Sequence, residues 1–175
     1  MKGLIHIYTG DGKGKTTAAV GLGVRACGSG LKVLMVQFLK CAPTGEIRSL
    51  KALEPGFVLY RGTGLKKFTW EMNPEEKNQT AAEQERILEY AVDKASEGGC
   101  DVLILDEVLG AIASGMLAKE AVIEFVKNKP ENVELVLTGR GAPPELIGLA
   151  DYVSEIRAVK HPVEKGIKAR KGIEF

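Results

Sequence analysis

The sequence predicts an α/β fold, a mainly parallel sheet with helices on both faces, and three observations carry that reading. Runs that are apolar at nearly every position recur along the chain: Leu4 to Tyr8, Lys32 to Phe38, Asp101 to Leu105 and Val133 to Leu137. A strand buried on both faces reads this way, whereas one wetted on a single side alternates. Helical stretches separate these runs, so each right-handed crossover returns the next strand parallel to the last. The polar and glycine-rich loops follow the strands, at the sheet edge where open α/β folds bind ligands.

Taken in order, the first strand runs into Thr9-Gly10-Asp11-Gly12-Lys13-Gly14-Lys15-Thr16-Thr17, and a helix follows from Thr16 to about Ser29. Its small residues (Ala18, Ala19, Gly21, Gly23, Ala26) permit close packing on a sheet, and Gly28 and Gly30 end it. Lys32 to Phe38 is the second strand, with Gln37 its one polar interior member, and Glu46 to Leu53 is a short helix. Phe57 to Tyr60 is a weaker strand. The next helix has a well-marked start, with Asn73 as N-cap, Pro74 at its first position and Glu76 at its third, and Gly98-Gly99 stops it. The strand from Asp101 leads to the acidic pair Asp106-Glu107. Two helices, Val108 to Met116 and Ala118 to Lys127, precede the strand Val133 to Leu137. Pro143 to Leu149 and Tyr152 to Ile156 supply a last helix and strand.

The strand, Gly-rich turn and helix around Gly10 to Thr17 form the setting of a phosphate-binding loop, which makes the fold P-loop NTPase-like (RecA-like). Gly10, Gly12 and Gly14 allow the positive φ angles that let backbone N–H groups converge on an anion at a helix N-terminus. Lys15 would add charge on phosphate oxygens and the Thr16 hydroxyl would ligate Mg²⁺. The usual pattern has a Gly where Thr9 stands. An acidic pair at a strand's carboxyl end is the usual companion of such a loop, because the bridging metal takes hard oxygen ligands. Arg140, in Thr138-Gly139-Arg140-Gly141 after another strand, is placed to reach a phosphate or to form a surface ion pair. Phe68 and Trp70 sit in a Gly- and Lys-rich loop, where they serve either as a hydrophobic plug or as a stacking surface for a flat ligand.

Composition narrows the function. The 175 residues fit a single P-loop α/β domain over 1–175, with a basic C-terminal tail from about 157 that holds six Lys or Arg against two Glu and is either solvated or closes over an anionic ligand. The formal charge of +1 argues against nucleic acid as the partner of the surface as a whole, so any basic site is local. Cys27, Cys41 and Cys100 are odd in number and lack a C-x-x-C pair, which suits free thiols in a reducing cytoplasm. No signal peptide or membrane-spanning run is visible.

In series, Thr9 to Thr17, Val36-Gln37-Phe38-Leu39-Lys40, Phe68-Thr69-Trp70-Glu71, Leu105-Asp106-Glu107, Leu137 to Gly141, Val159-Lys160-His161-Pro162, Gly166 to Ala169 and Gly172-Ile173 span nearly the whole chain. Together they resemble the P-loop ATP:corrinoid adenosyltransferases, also called cob(I)alamin adenosyltransferases. The resemblance implies transfer of the 5′-deoxyadenosyl group of ATP to cobalt(I) of a corrinoid (cobalamin) substrate, with release of triphosphate, and so a role in adenosylcobalamin biosynthesis or salvage. By matching position it implies that Lys15 and the loop from Thr9 through Gly10, Asp11, Gly12, Lys13, Gly14 and Thr16 to Thr17 bind the triphosphate. It places Mg²⁺ on Thr16 and Glu107, and it assigns Arg140 to the phosphates. Phe68 and Trp70 would lie near the lower face of the corrin, displacing its axial ligand. A flavoprotein reductant and a homodimer are implied in the same way. Asp11 departs from the family, in which that position is often Asn, and Met1 to Gly3 leave no room for the covering extension some members carry.

Overall fold

The computed structural model describes residues 2–40, 43–63, 67 and 69–174. Six strands among them, β1 (Ile5–Thr9), β2 (Val33–Gln37), β3 (Phe57–Tyr60), β4 (Val102–Asp106), β5 (Glu134–Thr138) and β6 (Tyr152–Glu155), form one sheet in the order β3-β2-β4-β5-β1-β6. Every neighbouring pair is parallel. The helices are α1 (Lys15–Gly28), α2 (Glu46–Lys51), α3 (Pro74–Ser96), α4 (Val108–Ala113), α5 (Lys119–Asn128) and α6 (Pro144–Leu149).

Each face of the sheet has its own core. On one side Ala19 and Ala26 of α1 and Leu50 of α2 pack with Met35, Phe57, Ile104 and Val136. On the other, Ile87 and Leu88 of α3, Leu109 of α4 and Val122 of α5 cover Leu34, Val36, Leu103, Leu105, Leu135 and Leu137. Successive residues of β2, β4 and β5 thus go to opposite faces, and their interior positions are apolar because both faces are covered, the polar Gln37, Asp106 and Thr138 standing at the carboxyl ends. The small residues of α1 act as expected: a Cβ on Gly23 would stand 2.5 Å from Cε1 of Phe57.

Observed boundaries differ from the expected ones by one to three residues, mostly where the last turn or strand residue passes into a loop. The α3 start follows expectation in detail. Glu76 N–H donates to Asn73 Oδ1 at 2.9 Å, and Asn73 N–H donates to Glu76 Oε2 at 2.9 Å, a reciprocal capping box.

Register aligns the strand ends that matter. Tyr8 pairs with Thr138, and Gln37 with Asp106. The loop after β1, the acidic pair after β4 and the Thr138 to Gly141 turn after β5 therefore open along one edge. β5 lies between β1 and β4, which separates the loop strand from the acidic strand by two strand spacings, roughly 10 Å. The gap is wide enough for a ligand and narrow enough for side chains to cross.

Candidate functional site

The loop after β1 reaches helix α1 through Gly10 at φ 104° and Gly14 at φ 119°, both left-handed conformations that a side chain would strain. Gly12 corrects the sequence reading, since it has no positive φ. Its N–H donates instead to Ile156 O at 2.8 Å, and a Cβ there would lie 2.7 Å from the Arg157 carbonyl carbon. Gly12 is small because the chain leaving β6 presses on the loop. That amide therefore braces the loop rather than facing an anion.

Lys15, the first residue of α1, donates from Nζ to Gly12 O at 2.7 Å. Burial lowers its pKa and nearby Arg140 adds to the effect, while Glu107, Asp11 and Asp106 oppose it. Two cations facing one another in a half-buried site are poised for a polyanion, which removes their mutual repulsion.

Asp106, at the end of β4, is fully buried and gathers the site around it. Its Oδ1 accepts from Thr16 Oγ1 at 2.8 Å and from Thr138 Oγ1 at 2.7 Å. Its Oδ2 accepts from Gln37 Nε2 at 3.1 Å and lies 3.3 Å from Lys40 Nζ. The Thr16 hydroxyl hydrogen is directed at Asp106, which leaves the oxygen lone pairs available to a cation. Thr138 spans the gap made by β5, because its Oγ1 also accepts the N–H of Glu107 at 2.8 Å.

Glu107 sits at φ 64°, left-handed for a residue with a side chain. That turn sends the two adjacent acids to different places: Asp106 into the interior, Glu107 to the wall of the cavity. Gly110 leaves room for Glu107, since a Cβ there would lie 2.4 Å from Glu107 Oε1. Gly139, at φ 137°, lies so close to α4 that a Cβ would stand 2.7 Å from Gly110 N. The turn bearing Arg140 is thus packed directly on the turn bearing Glu107.

A cavity of about 550 Å³ opens above the loop. Asp11 to Thr17, Lys40, Glu107 and Arg140 line it, while Thr9 and Gly10 do not. The start of α2 adds Thr44, Gly45 and Glu46, and the basic tail adds His161, Gly172, Ile173 and Glu174. Tail residues Pro162–Lys165 form a 3₁₀ turn, and Glu174 accepts from Lys13 Nζ at 2.9 Å and from Arg170 N–H at 2.8 Å. Arg170 first, then Lys13, hold the Glu174 carboxyl down at about 2. Asp11 Oδ1 accepts the Ala158 N–H at 3.3 Å, so Asp11 ties the loop to the tail.

Trp70 lies in a 3₁₀ turn, Thr69–Glu71, is 75% exposed and does not line the cavity. Phe68 lies outside the described residues, as does Cys41. Sequence reasoning did not single out Lys40 or Thr138 as parts of the site; of its two readings of the basic tail, solvated or closing over an anionic ligand, the structure has the tail beside the cavity. Lys40 had a signal, a cation just beyond a buried strand, but its aim depends on Leu39 at φ 53°, whose N–H is held by the buried Gln84 Oε1 at 3.0 Å.

Among the described residues no group of three or more His, Cys, Asp and Glu side chains is gathered to hold a metal alone. Mg²⁺ suits such a site, because it is usually held by one or two carboxylates together with phosphate oxygens and water. Gln37 Oε1 and Thr44 Oγ1 are buried without a hydrogen-bond partner among the described residues. Thr44 lines the cavity, so its hydroxyl is where a ligand would use it, while Gln37 is held beside Asp106 through its Nε2.

The family model for ATP:corrinoid adenosyltransferase BtuR/CobO/CobP matches residues 1–175. The chain belongs to this family. It is 38% identical over 177 residues to a corrinoid adenosyltransferase of Escherichia coli K12, an alignment covering 99% of this chain and 86% of the relative. A corrinoid adenosyltransferase of Pseudomonas aeruginosa is 37% identical over 175 residues, covering 99% and 84%. Corrinoid adenosyltransferase CobA of Salmonella typhimurium is 38% identical over 177 residues, covering 99% and 86%. Two solved structures share the fold at 14% identity. The flagellar accessory protein FlaH of Methanocaldococcus jannaschii aligns with TM-score 0.59 over 88% of this chain and 71% of its own, and the cytoplasmic domain of EssC with 0.53 over 97% and 34%. The fold is that of the P-loop NTPases, and the family's members are transferases.

Proposed function

We propose that the chain transfers the 5′-deoxyadenosyl group of ATP to cobalt(I) of a corrinoid. The cobalt electron pair forms the bond to C5′, the C5′–O bond breaks, and triphosphate leaves with the bonding pair as cobalt becomes cobalt(III). The observation that carries this reading is the combination of whole-chain family membership with a cationic loop whose Thr16 is tied to a buried acid. The nucleophile comes with the second substrate, so the protein's work is to hold a polyanionic leaving group and orient C5′. In this reading Lys15, Arg140 and the free loop amides take the triphosphate. Thr16 and Glu107 hold Mg²⁺, which neutralises charge on the departing phosphates, while Asp106 orients the Thr16 hydroxyl.

Trp70, together with Phe68, is assigned to the corrin face by family likeness, and the exposure of Trp70 supports a role in contact with a second molecule. The same likeness is the support for a flavoprotein reductant and for a homodimer. A cytoplasmic setting is favoured by the free Cys27 and Cys100, and among the described residues no helix is long and apolar enough to cross a membrane.

Anaerobic incubation with ATP, Mg²⁺ and chemically reduced cob(I)alamin tests the reading. A light-sensitive alkylcobalamin spectrum with release of triphosphate is the expected result. ADP or inorganic phosphate without a spectral change would assign the loop to phosphoryl transfer instead.

A further inference from the structure

Lys40 stands apart from the cations that sequence motifs assign to phosphate. Its Nζ lies 3.3 Å from Asp106 Oδ2, its side chain is 22% exposed, and it lines the cavity shared by Lys15 and Arg140. Two features of the backbone hold it there. Leu39 adopts φ 53°, an unfavourable conformation for a branched apolar residue, and its N–H is captured by the buried Gln84 side chain. Strain of this kind persists only where surrounding structure over-determines it, and it gathers at functional positions. Here it turns the chain so that the residue after Leu39 faces the acid.

A fully buried carboxylate needs a positive partner, and Lys40 provides it. That ammonium also stands beside the Thr16 to Asp106 hydrogen bond, where it repels a divalent cation approaching the same carboxylate. We infer that Lys40 is a built-in substitute for the metal: it keeps the nucleotide-free site from loading a divalent cation, and yields when a polyanionic nucleotide brings the metal in and offers the ammonium a phosphate partner. Metal and nucleotide therefore enter together, and Lys40 is a positioning residue for the metal rather than a group that touches the reacting atoms. This inference rests on the Mg²⁺ site proposed above.

The test uses Mn²⁺ as the probe, with free and bound ion distinguished by electron paramagnetic resonance at pH 8, on the full chain. Wild-type protein binds Mn²⁺ weakly alone and tightly with ATP. Lys40→Met is expected to bind Mn²⁺ alone roughly tenfold more tightly, because the repelling charge is gone. The same variant binds metal-free ATP several-fold more weakly, for want of the phosphate partner. Lys40→Arg, which keeps the charge, restores the wild-type pattern, and matching melting curves for the three proteins show that the fold is kept. Equal Mn²⁺ affinity of nucleotide-free wild type and Lys40→Met overturns the inference while leaving the metal site standing. With ATP, a Mn²⁺ spectrum in every protein identical to that of the protein-free Mn²⁺–ATP complex overturns the metal site, and the role of Lys40 with it.

Discussion

Thr138 is the residue on which the site's geometry most directly turns. Its hydroxyl donates to Asp106 and accepts from the Glu107 amide, so one oxygen joins β5 to both acids. Thr138→Val keeps the shape but leaves a buried carboxylate and a backbone amide each short of a partner. The expected loss is about 1–3 kcal/mol in urea unfolding, and Thr138→Ser should recover most of it. Lys15 is the contrasting case. Its hydrogen bond is to the loop's own Gly12 carbonyl, an arrangement that a bound phosphate would replace. Lys15→Ala is therefore expected to abolish ATP binding, read by calorimetry, with an unfolding midpoint close to wild type. The sequence made Lys15 legible because its motif is local. Apart from the family resemblance, which names Glu107, the residue pattern left Asp106 and Glu107 indistinguishable, because only a left-handed turn between neighbours sends one acid inward and the other to the cavity.

At the scale of elements, α1 offers two glycines that sequence reading treats alike. Gly21 has no heavy atom within 4 Å of an added Cβ, whereas Gly23 would drive one into Phe57 at 2.5 Å. Gly21→Ala is expected to stabilise by about 0.5–1 kcal/mol through the helix preference for alanine. Gly23→Ala is expected to destabilise by about 1–3 kcal/mol through overpacking, and thermal melts of the pair decide it. The tail makes a pH prediction. Glu174 has its carboxyl held at about 2 against an ordinary 4.5, so the tail's tie to Lys13 and Arg170 is complete above about 4.5 and fails as pH falls through about 2. The Arg170 amide resonance, bonded to Glu174, should titrate with that low midpoint; a midpoint near 4.5 would mean that the tie does not form in solution. Strands, helix starts and the capping box were readable because each rests on neighbours in sequence. The tail was readable only as a choice between solvation and closure over an anion, since its place depends on a Lys13 to Glu174 contact 161 residues apart.

For the whole molecule, the parallel order places β5 between the strands that carry the loop and the acids, and the site exists only when all three are in register. The apolar runs made that sheet predictable as a class, but strand order and the reach of Lys40 depend on long-range pairing that a single sequence does not display. Asp106 is the meeting point of Thr16, Gln37, Lys40 and Thr138, four residues from three separate stretches of chain. An unfolded chain has no such meeting point, so a nucleotide that needs it binds the folded state alone. Mass action then makes occupancy a stabilising force: at a free ATP concentration one hundred times Kd, folding gains about 2.7 kcal/mol. For a chain of this size that corresponds to a rise of roughly 5–10 °C in Tm. Ligand preference among nucleotides is thus readable from melting temperature alone, in air and before any corrinoid is added.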